Sequence, residues 1–219
     1  MSFIEQLDRE NKEHLARIDA IRDADAADVA AATPGEMVRR LRLALRQELE
    51  AAEIAALWMP TTTPIDIKLA LARMCGDEAR HYELILGRLR DLGDDVSGID
   101  PFAGGRSPFY AYLASLDDAV ERVAAACFTR EAIGHIRNEQ FIAWAEQAQD
   151  LETARLYRDH VQPDEWAHVV CGRALLERHA VTPEAQARAR AAARKTLELA
   201  EGAVGAIVHT HKMACAPGC

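Results

Sequence analysis

The sequence predicts an all-α fold, and three observations carry that expectation. Ala, Leu, Glu and Arg, all good helix formers, dominate the chain, while Gly and Pro gather in a few short places. No stretch alternates apolar and polar residues at period two over a useful length, so no sheet is expected. With 219 residues, 49% of them hydrophobic, the chain is long enough to bury one core, and residues 1–219 read as a single helical domain.

The breaks divide the chain into six helices. Residues 2–23 form a polar, amphipathic first helix, and the small-residue stretch "DADAADVAAATPGE" connects it to a second, from about Glu36 to Met59. "PTTTPID" ends that helix, and a third runs from near Ile65 to about Leu92. The loop "GDDVSGIDPFAGGRSPF" (93–109) divides the chain near its middle. A long fourth helix follows to Ala148 with Ser115 as its cap, and residues 151–180 make a fifth, interrupted by Pro163. "TPE" at 182–184 caps a last helix reaching about Met213, ahead of a tail at 213–219.

Composition limits the function. A net charge of -9 argues against a nucleic-acid backbone or an anionic membrane surface as partner. No apolar run approaches the roughly 20 residues that span a bilayer, and "MSFIEQLDRENKEH" lacks the basic start and apolar core of a signal peptide, so the expected location is the cytoplasm. Five widely spaced cysteines (Cys75, Cys127, Cys171, Cys215, Cys219) suit reduced thiols better than a disulfide framework.

One pattern carries chemistry. "DEARH" at 77–81 and "DEWAH" at 164–168 spell Asp-Glu-x-x-His twice, on the third and fifth helices. Glu and His three apart lie about 300° round a helix and about 4.5 Å along it, so Glu78 with His81, and Glu165 with His168, each offer a metal one oxygen and one nitrogen. Two such pairs imply two metal ions, bridged by carboxylates from two other helices. On the second helix Glu48 falls among Met37, Leu41, Ala44, Ala52 and Ala55, whereas Glu53 falls with Arg39, Arg42 and Arg46, and Glu50, nearer that charged arc, is the reserve candidate. On the fourth, Glu131 is central to a stripe of Val120, Ala124, Cys127, Gly134, Ile142 and Ala145. A carboxylate on an apolar stripe is costly unless it is paired or holds a cation, so Glu48 and Glu131 complete the set. Each lone Glu precedes its pair by a similar distance, 30 and 34 residues, as in a duplicated helix hairpin.

This constellation resembles the ferritin-like di-iron carboxylate superfamily, and more narrowly the hydroxylase subunits of bacterial di-iron monooxygenases, ribonucleotide reductase small subunits and the quinone-biosynthesis hydroxylases. The resemblance covers about residues 36–180, although only the motif residues match clearly. It implies a ferritin-like four-helix bundle with an extra helix at each end. It implies two iron ions, with manganese or a mixed pair as alternatives, and a non-haem oxidase or oxygenase that activates O2 to oxidise a small organic substrate. Asp77 and Asp164 would orient ligand histidines. An electron-donor protein and a homodimer are compatible with such a chain. The alternative function is a ferroxidase or metal-storage protein of the same class.

His135 departs from the monooxygenase pattern, which commonly has threonine there. One turn after Glu131, it is expected to line a cavity beside the metals or to transfer protons. Ala124, Cys127, Phe128, Gly134 and Ile142 complete that expected lining. Pro163, one turn before the second pair, predicts a kink or π-type irregularity. Tyr82, Tyr157, Trp58, Trp144 and Trp166 are read as packing residues. The tail's His209, His211, Cys215 and Cys219 are a further candidate metal-binding set.

Overall fold

The computed structural model describes residues 1–20, 34–211 and 216–218, and among these the chain is helical with no strand. Ser2 opens α1 (Phe3–Ala20) with a reciprocal cap: the Glu5 N–H donates to the Ser2 hydroxyl at 3.2 Å, and the Ser2 N–H donates to the Glu5 carboxylate at 2.7 Å. α2 (Pro34–Trp58) starts slightly earlier than expected, on a proline whose missing N–H costs nothing in a first turn. α3 (Ile65–Asp91) follows after the break at 59–64. At that corner the buried Arg122 guanidinium donates to the hydroxyls of Thr61 (2.9 Å) and Thr62 (3.1 Å), tying it to the second half of the chain.

The second half departs from the sequence reading in two places. The 93–109 stretch ends inside a short helix, α4 (Pro108–Ala114), capped by Ser107, whose hydroxyl accepts from the Tyr110 N–H at 3.0 Å. Ser115 closes that helix instead of starting the next. The cap of the long helix is Asp118, which accepts from the N–H groups of Val120 (2.9 Å) and Glu121 (3.1 Å). Ser and Asp are both good caps, but the carboxylate also complements the positive end of the helix dipole.

From Asp118 one rod continues through α5 (Ala119–Arg122), a π-helical segment (Val123–Arg130) and α6 (Glu131–Gln147). A second rod holds α7 (Leu151–Leu156), a π segment (Tyr157–Val161) and α8 (Gln162–His179), with Pro163 in the first turn of α8. The irregularity expected at Pro163 therefore lies on its N-terminal side. α9 (Pro183–His211) starts at Thr182, whose hydroxyl accepts from the Ala185 N–H at 3.2 Å.

These elements form two helix hairpins, α2 with α3 and the α5–α6 rod with the α7–α8 rod, which meet along α3 and α8. α9 covers the first π segment, and α1 lies on α9, α6 and α8. Gly172 of α8 lets the hairpin close, because a Cβ there would stand 2.6 Å from the carbonyl oxygen of Cys127 in the π segment. Among the described residues no helix is long and apolar enough to cross a membrane.

The apolar interior has two large clusters and a small third one, of Ile18, Ile133, Leu197 and Ala200. Ile54, Met74, Phe128 and Val169 belong to one cluster, and Leu45, Ile85, Phe141 and Val161 to another. Between them, on all four core rods, lies a band of buried polar side chains.

Candidate metal centre

The band contains Glu48, Glu78, His81, Glu131, Glu165 and His168, none more than 8% exposed. They make two groups, Glu48, Glu78, His81 and Glu165 in one and Glu78, Glu131 and His168 in the other. Within each group one ligand atom per residue lies within 4.8 Å of all the others. Each hairpin thus delivers a lone carboxylate from its first helix and a Glu-x-x-His pair from its second. Glu50 is turned away to Ser107, whose N–H donates to it at 2.8 Å, and Glu53 pairs with Arg106. The residue common to both groups is Glu78. The sequence reading gave the bridging role to Glu48 and Glu131, whereas the residue placed in both groups is a motif glutamate. Glu78 is fully buried where the two groups meet, whereas Glu48 and Glu131 each approach from one side.

The aspartates cross between motifs. Asp164 Oδ2 is 2.9 Å from His81 Nε2, and Asp77 Oδ2 is 3.1 Å from His168 Nε2. Arg80 pairs with Asp164 and closes this exchange at the surface. With Nε2 held on each ring, Nδ1 faces the carboxylates. His81 Nδ1 lies 3.4 Å from Glu48 Oε2 and 3.7 Å from Glu78 Oε2, and His168 Nδ1 lies 3.3 Å from Glu131 Oε2. The His81 contacts are ion-pair approaches rather than hydrogen bonds. Glu48 Oε2, both oxygens of Glu78 and His81 Nδ1 are buried with no hydrogen-bond partner. A carboxylate with neither oxygen hydrogen-bonded is unstable in a protein interior. Its donors converge on one small volume, which is the chemistry expected of ligands for a hard or borderline divalent cation.

Without a metal, protons balance the charge. Burial works against the charged imidazole of His81, but Glu48 and Glu78 outweigh it and push its pKa up to about 11. In His168 the same contest, with Glu131 as main partner, ends at about 9. Burial and then the charge of Glu131 raise Glu78 to about 7, and the same two causes lift Glu165 well above the carboxylate range. Burial would also raise Glu48 and Glu131. His81 holds Glu48 below the usual range, and the Arg130 cation followed by His168 holds Glu131 at about 2.

Arg130 is the member that the sequence reading missed. Its side chain is 9% exposed, and its Nη1 lies 2.8 Å from Glu131 Oε1 and 3.8 Å from Glu78 Oε1. The signal was an arginine directly after the apolar run "VAAACF" and Thr129, where every neighbour is buried.

His135 is outside both groups. One turn beyond Glu131 the helix has left the band, and the half-buried His135 ring tilts against Trp166, with centroids 5.5 Å apart. There it borders an open depression with Lys12, Leu15 and Ala16 of α1. Ala124, Cys127, Phe128, Gly134 and Ile142, expected to line a cavity with His135, are buried, and none of them borders that depression. An apolar cavity of about 510 Å³ lies between α2, α6 and α9, bordered by Leu43, Gln47, Phe109, Ile133 and Val204. Ile133 is about 200° round α6 from Glu131, so that cavity lies behind the ligand-bearing face. Trp58, Trp144 and Tyr157 are buried and Tyr82 is half-buried, but Trp166 is 55% exposed. Cys75, Cys127 and Cys171 are free thiols, Cys127 packing 3.9 Å from the Met74 sulfur. The side chains of His209, His211, Cys215 and Cys219 lie outside the described residues.

Compared with models of known protein families, with characterised proteins and with solved structures, the chain matches none.

Proposed function

We propose that this protein is a ferritin-like di-metal oxidase or oxygenase, with Glu48, Glu78, His81 and Glu165 holding one ion, Glu78, Glu131 and His168 the other, and Glu78 shared. The observation that carries the reading is the convergence of these six side chains, from four helices, on one buried band where carboxylate oxygens and an imidazole nitrogen lack hydrogen-bond partners. A salt-bridge network built for structure alone would satisfy those atoms, since an unpaired buried charge costs several kcal/mol. Two ferrous ions held there would supply electrons for the reduction of O2, and the oxidising equivalents would then pass to a small organic substrate.

The chain's own residues set the conditions for that chemistry. Asp77 and Asp164 fix ring orientation and leave Nδ1 of each histidine turned inward. The apolar clusters on either side exclude water from the band. His81, His168 and Glu165 release protons as metal enters, and the same groups can accept protons when O2 is reduced.

The test is anaerobic loading of the purified chain with ferrous iron, followed by metal analysis and oxygen uptake. The expected result is retention of about two ions per chain, with oxygen consumed in proportion to that iron. Glu48→Ala should lose most of the uptake and Glu53→Ala should keep it, because Glu53 is committed to Arg106. Sustained oxidation of tens of ions per chain, accumulating as mineral, would replace this reading with the storage alternative.

A further inference from the structure

We infer that Arg130 makes the two metal positions unequal, so that the cluster loads in two separated steps, the four-residue position first and the Arg130-bearing position second. This rests on the di-metal reading above and adds to it an order of filling and a residue that sets that order.

The two positions differ in donors and in resident charge. The first draws on Glu48, Glu78, His81 and Glu165, and the second on Glu78, Glu131 and His168 alone. Two of the three donors of the second position already serve Arg130, whose guanidinium lies 2.8 Å from Glu131 and 3.8 Å from Glu78. A metal ion entering there must share these carboxylates with a fixed cation, in a band where burial weakens screening.

Arg130 cannot give up its charge to make room for a metal ion, because a guanidinium stays charged in a protein. Arg130 is also too enclosed to swing readily into water, at 9% side-chain exposure in a segment whose residues are all buried. Among the described residues no other arginine or lysine is paired with a donor of the first position, and Arg130 reaches that position only through the shared Glu78. Arg80 lies on the outer side of Asp164, and Arg46 is committed to Glu50 at 3.2 Å. Arg130 thus acts as an internal counter-charge that steadies Glu78 and Glu131 without metal and competes with the second ion once metal is supplied.

Cobalt(II) titration of the metal-free chain, followed by calorimetry and by the visible absorption of the bound ion, tests the inference without any turnover. The wild-type chain should take up one equivalent, then a second about tenfold or more weaker. In Arg130→Gln the two steps should draw together to within about threefold, mainly through tighter second binding. Arg130→Lys keeps the charge and should keep the separation. Glu165→Gln, which removes a carboxylate from the donors of the first position, should weaken the first step. The inference is overturned if the wild type fills both positions with one affinity, if Arg130→Gln leaves the separation unchanged, or if Arg130→Lys closes it. If Arg130→Gln does not fold, judged by circular dichroism, the wild-type titration with the Lys and Glu165 variants still decides. A chain that binds no cobalt at all overturns the di-metal reading itself, whereas two equal sites would leave that reading standing and remove only the role of Arg130.

Discussion

Asp164 does not serve the histidine of its own motif; it holds His81, and Asp77 holds His168. Each "DE" therefore divides its labour: both glutamates turn into the four-residue group, Glu165 apart from its own His168, and each aspartate reaches across to the histidine of the other helix. A single aspartate thus couples the two motif helices as well as one imidazole to its ring orientation. Asp164→Asn keeps the shape but removes the charge that favours the Nε2–H form of His81. Metal affinity should fall by about 10–100-fold, with most of the loss at the position containing His81, while Asp95→Asn on the exposed surface should change nothing. Equal cobalt affinity in wild type and Asp164→Asn would show that the crossing is only structural. At this scale the sequence was informative where cost was at stake. Glu48 and Glu131 stood out because a carboxylate on an apolar face needs a reason. Arg130 offered the same signal with the opposite charge and was overlooked. His135 shares the stripe of Glu131 but lies one turn further along the axis, outside both groups, because a stripe fixes direction round a helix and not position along it.

At the scale of elements, both ligand-bearing rods of the second half change pitch just before their ligands. The π segment Val123–Arg130 ends at Glu131, and Tyr157–Val161 ends four residues before Glu165, whereas α2 and α3 contain no such segment. Single-turn π irregularities are common beside functional sites, but nothing in a sequence period marks an eight-residue one. All eight residues from Val123 to Arg130 are buried, so there is no polar face from which to read a phase. The 100° projection still reached Glu131, since it is the first carboxylate after Glu121. The missed helix α4 has a similar cause. Its seven residues fall within a Gly- and Pro-rich stretch, and its cap, Ser107, reads equally well as a loop residue. The widened turn also explains Gly172, which takes the Cys127 carbonyl where a side chain would collide with it. Gly172→Ala should destabilise the fold by about 1–3 kcal/mol, measured by chemical denaturation. Gly87→Ala, with nothing within 4 Å of the added carbon, should be neutral or stabilising by about 0.5–1 kcal/mol. Equal effects at the two positions would mean that the close approach at Cys127 relaxes freely.

Across the whole molecule, two hairpins place a band of ionisable groups between the two larger apolar clusters, so the stability of the metal-free chain should follow the protonation of that band. Glu131, held at about 2 against an ordinary 4.5, contributes stability that is present above pH 4.5 and lost as pH falls towards 2; Asp66, also held at about 2 by His179, acts in the same direction. The other groups act oppositely. Glu78 is raised to about 7, so the folded state binds more protons than the unfolded state between pH 4.5 and 7, and stability falls across that window. His168 and His81, raised to about 9 and about 11, stabilise fully below 6.5 and lose that contribution as pH rises through those values. The metal-free protein should therefore be most stable near pH 5 and weaken by an amount on the order of a few kcal/mol by pH 8. Metal reverses the trend, because its binding displaces the same protons and so strengthens as pH rises. Urea denaturation at pH 5 and pH 8, with chelator and then with cobalt(II), should show the midpoint falling between the two pH values without metal and the metal-induced gain growing. A metal-free midpoint that rises from pH 5 to pH 8 would mean that the imidazoles are neutral in the folded state, and that the carboxylates around them are balanced by something other than protons.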